Sequence, residues 1–365
     1  LVIKSFARVL EVDPGIRTDH LLSMQITLPR ARYDSAKSTM FYDELMQRLR
    51  GAPGVEAVAT TSLVPLSGDF DRIGIAKIAG AADRAGSEAA EGDRYVVSPS
   101  YFATMGVRLV RGRSFEAGDL LSAPFVVLVD EVFARRIFGG MDPIGRRMQV
   151  TGGWATIVGV VTHVKTYGLD AASPGQIYIS SQQYPWRWSA LVIRASGDPM
   201  ALEPVARRIV HELDPDQPID DVATVEGYLR DSLRARKFTL ELLGAFAAAA
   251  LALAVIGLYG VIAYGVTLRR RELGIRIALG AQRAQIARRV LGDGALIALA
   301  GMAVGLVGAL ASGRAMSSLL FEVSPRDGVV FTLVCAVMLA VALAASFVPA
   351  RRATLVDATE VLRGD

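Results

Sequence analysis

Three stretches of this sequence, 242–268, 294–313 and 329–350, contain not one Asp, Glu, Lys, Arg or His. A helix rises ~1.5 Å per residue, so each stretch can cross a hydrocarbon core of ~30 Å. In lipid every backbone polar group must find an internal partner, and an α-helix is the simplest way to do that. The expectation is an all-α membrane domain over 242–350 with three transmembrane helices. The missing charges also exclude a class of function. Transporters driven by proton or ion gradients carry ionisable groups inside their spans. Here the energy for any work has to arrive from outside the membrane segment.

The segment joining the first two spans, 269–293, is the obvious port. It carries seven Arg against two acids, Glu272 and Asp293. Under the positive-inside rule such a loop is cytoplasmic, and Arg269, Arg270 and Arg271 serve as topology anchors. Arg351 and Arg352 anchor the tail, 351–365, on the same side. The loop 314–328 balances two Arg against two acids and is placed outside. Everything before the first span then lies outside too. Leu273 and Ile277 are four apart, Gly280 can end a helix, and Ile286, Ala287, Val290 and Leu291 line one face of the next segment. This predicts a short surface helix, a glycine break and an amphipathic helix entering the bilayer. Glu272 and Arg276, one turn apart, can pair with each other or with charges on a partner. Gly274 permits close approach. The alternative is that these arginines only fix topology, and Arg283 fits either reading.

Hydrophobic residues make up 52% of the chain and mean hydropathy is +0.36, consistent with a large membrane share. Net charge is only +4, so no nucleic-acid surface is implied. Cys335 is the only cysteine, and His20, His163 and His211 stand apart, with no pair at metal-ligand spacing. None of the five lysines follows a glycine, so the phosphate loop G-x-x-x-x-G-K-[ST] is absent. No nucleophile elbow G-x-S-x-G occurs. Asp214/Asp216 and Asp220/Asp221 read as solvated caps in turn-rich sequence. No catalytic residue, metal or cofactor is expected in this chain.

The region before the spans reads as a mixture of short strands and helices. Residues 1–18 look like a connector closing on Asp13-Pro14-Gly15, with Leu1-Val2-Ile3 reading as the frayed end of a segment upstream. Strands are expected at 21–28, 55–62, 125–129, 157–161, 176–179 and 190–194. Asp34 or Ser35 caps a helix carrying Phe41, Leu45 and Leu49, stopped by Gly51 and Pro53. Residues 67–92 read as irregular, 101–105 as a short helix and 108–113 as a turn. Asp130 opens a helix with Val132, Phe133 and Ile137. Another runs from Asp198-Pro199 to Leu213. A polar-faced stalk helix, 224–241, carries Val225, Tyr228, Leu229 and Leu233 and continues into the first span. Residues 19–223 are therefore an α+β extracytoplasmic domain large enough to bury its own core. In the second span Gly301, Gly305, Ala309 and Gly313 recur every four residues, which suits either ordinary bundle packing or a dimer face.

The loop sequence Arg269-Arg270-Arg271-Glu272-Leu273-Gly274-Ile275-Arg276-Ile277-Ala278-Leu279-Gly280-Ala281 resembles the cytoplasmic coupling segment of ABC transporter permeases of the MacB/FtsX type. Val97-Ser98-Pro99-Ser100-Tyr101-Phe102, Gly112-Arg113-Ser114-Phe115, Asp142-Pro143-Ile144-Gly145-Arg146 and Ile157-Val158-Gly159 are similar to that family's extracytoplasmic domain. Pro349-Ala350-Arg351-Arg352-Ala353 with Val356-Asp357 is similar to its C-terminal signature. The resemblance implies a non-catalytic permease subunit in the inner (plasma) membrane, with ATP bound by a partner ATPase that is separate or fused. It makes Glu272, Gly274, Ile275, Arg276, Gly280, Ala281 and Arg283 the ATPase-coupling residues. It implies two lobes outside, one a discontinuous βαβ-type module with the other inserted. It also implies a second permease copy or half, and in some relatives a periplasmic adaptor or cell-wall hydrolase. In the family a transmembrane helix precedes the extracytoplasmic domain, so the resemblance implies that this helix is missing here and that the chain is a fragment or the second half of a longer permease. Export and mechanotransmission both remain open. Two other readings stay beside it: an ATPase-independent membrane receptor or scaffold, and a degenerate permease half paired with a working one.

Overall fold

The computed structural model describes residues 2–75, 77–79, 90–279, 281–312 and 327–353. The chain divides into two compact units, one of residues 11–235 and one of residues 1–10 with 236–365.

The first unit begins with β1 (Leu21–Thr27), α2 (Ser35–Arg50) and β2 (Val55–Thr61), and ends with β10 (Trp188–Ala195), α5 (Glu203–Leu213) and β11 (Ile219–Thr224). These four strands lie in the order β11-β1-β10-β2, every pair antiparallel. β10 separates β1 from β2, and β1 separates β10 from β11. The result is a split β-α-β-β-α-β module. Strand alternation builds its core. Leu22, Met24 and Ile26 of β1, with Leu191 and Ile193 of β10, turn to one face. There they meet Phe41, Leu45 and Leu49 of α2 and Ala206 and Val210 of α5. The α2 ends are those expected: Asp34 Oδ1 accepts the Lys37 N–H at 2.8 Å, and Gly51 closes the C-terminus.

Residues 62–187 are inserted between β2 and β10. They form β3 (Arg72–Ile75), β4 (Ala90–Val97), α3 (Tyr101–Met105), β5 (Leu109–Gly112), β6 (Val126–Asp130), α4 (Glu131–Phe138), β7 (Arg147–Val150), β8 (Gly153–Val161) and β9 (Gln176–Ser180). Their sheet is mixed, in the order β4-β9-β6-β8-β5, with β3 on β4 and β7 on β8. β2 and β4 touch through Thr61 and Val97, so one continuous sheet serves both lobes. Leu21, Ala59 and Val192, from the other face of the module, join Tyr95, Tyr101, Phe102 and Tyr178 in a shared aromatic core. This is the two-lobed insertion that the family resemblance implied.

Several local readings need correction. Residues 67–92 are not wholly irregular: β3 lies there, paired with β4, while residues 76 and 80–89 fall outside the described set. The expected turn at 108–113 is β5, an edge strand hydrogen-bonded to β8. β8 starts earlier than the predicted strand, because it forms a hairpin with β7 that the apolar pattern did not reveal. The expected connector opens with a helix, α1 (Val2–Leu10).

α6 runs unbroken from Val225, in the first unit, to Leu268, in the second, so the predicted stalk and first span are one helix. It is followed by α7 (Arg270–Ala278), α8 (Arg283–Ser312) and α9 (Gly328–Ala353). Three of these helices, Val225–Leu268, Ala284–Ala311 and Gly328–Arg352, are long and apolar enough to cross a membrane. Large apolar side chains such as Leu253, Val304 and Leu333 are exposed along them, as lipid contact requires. Asp327 Oδ1 caps α9 by accepting the Val329 and Val330 N–H groups at 3.1 and 3.3 Å. Its other oxygen pairs with Lys4 of α1, and the Lys4 ammonium holds this carboxyl below the ordinary carboxylate range.

Among the described residues, Gly301 and Gly305 of the small-residue stripe are not packed closely against another helix. A Cβ built on Gly301 or Gly305 meets no heavy atom within 4 Å. Both, with Ala309, line an open cleft between α6, α8 and α9, and Gly313 lies outside the described residues. The tight crossing is at Gly294 instead. A Cβ there would lie 2.5 Å from Ser346 Oγ on α9 and 2.9 Å from Ile262 Cδ1 on α6.

Candidate functional site

The candidate site is α7 with its two flanking turns. α7 follows α6 with little interruption: the Arg269 N–H donates to Gly265 O at 3.2 Å, and Leu273 N–H to Arg269 O at 2.9 Å. Its end is also defined. Ala281 N–H donates to Arg276 O at 3.0 Å, the six-to-one bond of a Schellman closure. Gly280, the residue expected to make this turn, lies outside the described residues. Gln285 Oε1 then accepts the Gln282 N–H at the start of α8.

Among the described side chains of α7, Leu273 fastens the helix to the bundle. Leu273 is buried in a cluster with Ile262 of α6, Ile286 and Val290 of α8, and Ala350 of α9. Ile286 and Val290 are therefore on the inner face of α8, as their spacing predicted, with Leu291 packed beside them. Arg352 Nη1 donates to Tyr259 OH at 3.1 Å, tying the end of α9 to α6. That places this topology anchor in a specific contact as well.

Two polar residues of α7, Glu272 and Arg276, pair with each other. Arg276 Nη2 lies 2.6 Å from Glu272 Oε1, one turn away. Arg269 Nη1 donates to Asp293 Oδ2 at 3.0 Å, bridging the end of α6 to α8. Arg269 thus does more than set topology. Arg271 is exposed, as is Arg351. Arg270 and Gly274 fall within α7, and Arg283 begins α8.

With Leu273 turned inward, two large apolar side chains among those described in this segment are left outside; the side chain of Ile277 lies outside the described set. Ile275 is 44% exposed and Leu279 is 82% exposed. They are four residues apart, Leu279 standing in the turn just past α7 with its N–H donating to Ile275 O at 3.0 Å, so the two lie on one side of the segment. Sequence reasoning chose Ile275 and passed over Leu279. The signal was there in the i, i+4 spacing, but the reading followed the other register, Leu273 with Ile277. Among the described residues no cluster of His, Cys, Asp and Glu could hold a metal ion.

Comparison with known proteins gives two matches that tile the chain. Residues 3–224 match the MacB-like periplasmic core domain, and residues 244–356 match the FtsX-like permease C-terminal region. The chain is 26% identical over 282 residues to the probable syringafactin export ATP-binding/permease protein SyfD of Pseudomonas syringae, covering 74% of this chain and 42% of that protein. It is 25% identical over 286 residues to the macrolide export ATP-binding/permease protein MacB of Agrobacterium fabrum, covering 74% and 43%. It is 23% identical over 283 residues to the ABC transporter permease YknZ of Bacillus subtilis, covering 73% of this chain and 68% of YknZ. The chain thus spans about two-fifths of the length of the first two relatives. Among solved structures, the periplasmic region of MacB from Actinobacillus actinomycetemcomitans aligns with a TM-score of 0.41 at 14% identity, over 64% of this chain and 98% of that one. On the two domain matches and their order, this chain belongs to the MacB/FtsX family of ABC transporter permeases.

Proposed function

We propose that the chain is the permease subunit of an ABC system in the inner membrane. In this reading residues 11–235 lie outside the cytoplasm, and α7 docks a partner ATPase on the cytoplasmic side. Nucleotide-driven movement of that ATPase displaces α7. The observation that carries the reading is the exposed pair Ile275 and Leu279 on a segment fixed by Leu273. An apolar pair in an arginine-rich segment suits an interface in which apolar anchors supply affinity and rim charges supply orientation.

The route outward is α6. Its first residue, Val225, is fully buried in the core of the outer domain, and Ile262 near its other end packs with Leu273. A displacement of α7 therefore acts on the helix that also enters the outer core. Work done by ATP hydrolysis would be felt there, for export of a substrate or for control of a partner outside. The relatives' names speak of macrolide and syringafactin export. For this chain the cargo is a matter of the outer domain, because the spans carry no charged path.

The test is affinity purification from native membranes under crosslinking. Recovery of a Walker-motif ATPase, lost on Arg276→Glu or Leu279→Asp, supports the reading. A chain that crosslinks to no ATPase, and still binds a partner through residues 11–235, is a receptor or scaffold instead.

A further inference from the structure

The end of α6, α7 and the first half of α8 enclose a cleft of about 330 Å³. Its lining changes character along its length. One part is apolar, including Val261, Val266 and Leu296; the other holds Arg269, Glu272, Arg276, Arg289 and Asp293. Val261 and Leu296 are 58% and 69% exposed, so the apolar part opens to the surroundings of the helices.

The charges do not cancel. Asp293 is taken by Arg269 at 3.0 Å and Glu272 by Arg276 at 2.6 Å. Arg289 is exposed and makes no ion pair or hydrogen bond among the described residues. After internal pairing the cleft therefore offers one uncompensated cation and no uncompensated anion. The change from apolar to charged lining falls where the uncharged run 242–268 ends, the depth at which lipid headgroups lie.

The geometry points to a binding site for an anionic phospholipid, its phosphate on Arg289 and an acyl chain along Val261 and Leu296. A free anion would use the arginine and leave the apolar wall unfilled. A phospholipid uses both, and a basic cleft between spanning helices on the cytoplasmic side is suited to an acidic headgroup. The inference requires only that α6 and α8 cross a bilayer. It stands whether or not α7 binds an ATPase.

The test is retention of phosphatidylglycerol against phosphatidylcholine by the purified full chain, counted by native mass spectrometry, with inorganic phosphate as competitor. Arg289→Gln is expected to weaken phosphatidylglycerol retention about fivefold. Arg288→Gln removes the same charge from an exposed neighbour outside the cleft lining and is expected to leave retention unchanged. Gly265→Leu is expected to weaken retention with no change of charge, because a side chain there meets no heavy atom within 4 Å and enters the cleft. Equal losses for the two arginine variants would overturn the site in favour of a general basic surface. Displacement by millimolar phosphate, with Gly265→Leu silent, would overturn the lipid in favour of a free anion. ATPase recovery in the crosslinking experiment is read separately, so failure of one leaves the other decided on its own data.

Discussion

Gly294 on α8 faces Ser346 on α9 so closely that a Cβ on the glycine would stand 2.5 Å from the serine Oγ. Ser346 is fully buried and its hydroxyl donates to Ala342 O at 2.7 Å, so it has little freedom to retreat. Gly294→Leu is expected to destabilise the helix bundle by about 1–3 kcal/mol, the usual cost of overpacking. Adding Ser346→Gly should recover part of that loss, because the two sites share one contact. Unfolding of the solubilised chain by titrated detergent measures both. Gly301→Leu serves as the contrast and should cost little in the monomer, since its Cβ has open space.

In the outer domain Arg194, only 5% exposed, holds three separate segments together. Its guanidinium donates to Thr104 O at 2.7 and 2.9 Å, to Asp19 O at 2.9 Å and to Arg17 O at 3.2 Å. Arg194→Met fills similar space but leaves those carbonyls without their donor. A loss of about 3 kcal/mol is expected, because hydrogen bonds to charged groups are the stronger ones and Thr104, whose carbonyl loses two of them, is fully buried. Lysine should rescue only in part, since a point charge cannot replace the planar fork. Trp154, Trp186 and Trp188 are the chain's three tryptophans and all lie in this domain, so their fluorescence reads its unfolding selectively.

Acid should loosen the inserted lobe through Asp119. Arg113 grips this carboxylate with two hydrogen bonds, 2.7 and 2.9 Å, and the Glu116 N–H adds a third at 2.8 Å. The Arg113 hydrogen bond holds the Asp119 carboxyl below the usual carboxylate range. A folded-state pKa below the unfolded value gives stability that is present above the unfolded value, about 3.9 for Asp. That stability is lost as pH falls through the folded value. Asp119→Asn should therefore be less stable than the parent at neutral pH. The gap should close at the acid end, as seen by tryptophan fluorescence across pH 2.5–7 (roughly the span in which carboxylates titrate).

Charge and apolar contact on α7 should separate in their effects on coupling. Ile275→Asp or Leu279→Asp removes an exposed apolar anchor and is expected to abolish stimulation of the partner ATPase by the permease. Neither should alter the stability of the chain, because neither residue packs in the Leu273 cluster. Arg276→Gln also breaks the 2.6 Å pair with Glu272. Both side chains are about half exposed, so that pair itself contributes little to folding, about 0–1 kcal/mol. Loss of stimulation without loss of thermal stability is the outcome to look for in reconstituted vesicles.

How much of the fold and the site was legible in advance depended on whether the signal was local. The α2 ends were, because Asp34 and Gly51 act on their own helix. The spans were, because an uncharged run carries its own meaning in lipid. β3 and β5 were not. Arg72–Ile75 and Leu109–Gly112 are four residues each, with no clean alternation, and owe their strand form to β4 and β8. β11 escaped for a related reason: Ile219–Thr224 contains two adjacent aspartates and is recruited by β1. In the membrane unit, the four-residue stripe of Gly301, Gly305 and Ala309 drew attention, while the single Gly294 that permits close packing did not. Spacing identifies a face, but only the partner helix decides which face is used. Leu279 shows the same limit, since its exposure comes from Leu273 having turned inward.

A cytoplasmic α7 covered by an ATPase is the arrangement on which the proposed function depends. Replacing Cys335 with alanine and Leu279 with cysteine leaves one thiol, at an exposed apolar position at the end of that helix. Labelling with a membrane-impermeant maleimide should succeed in inverted vesicles, fail in intact cells with an unbroken inner membrane, and be blocked when the ATPase is bound. Labelling from outside the cell, or labelling unaffected by the ATPase, would contradict that arrangement.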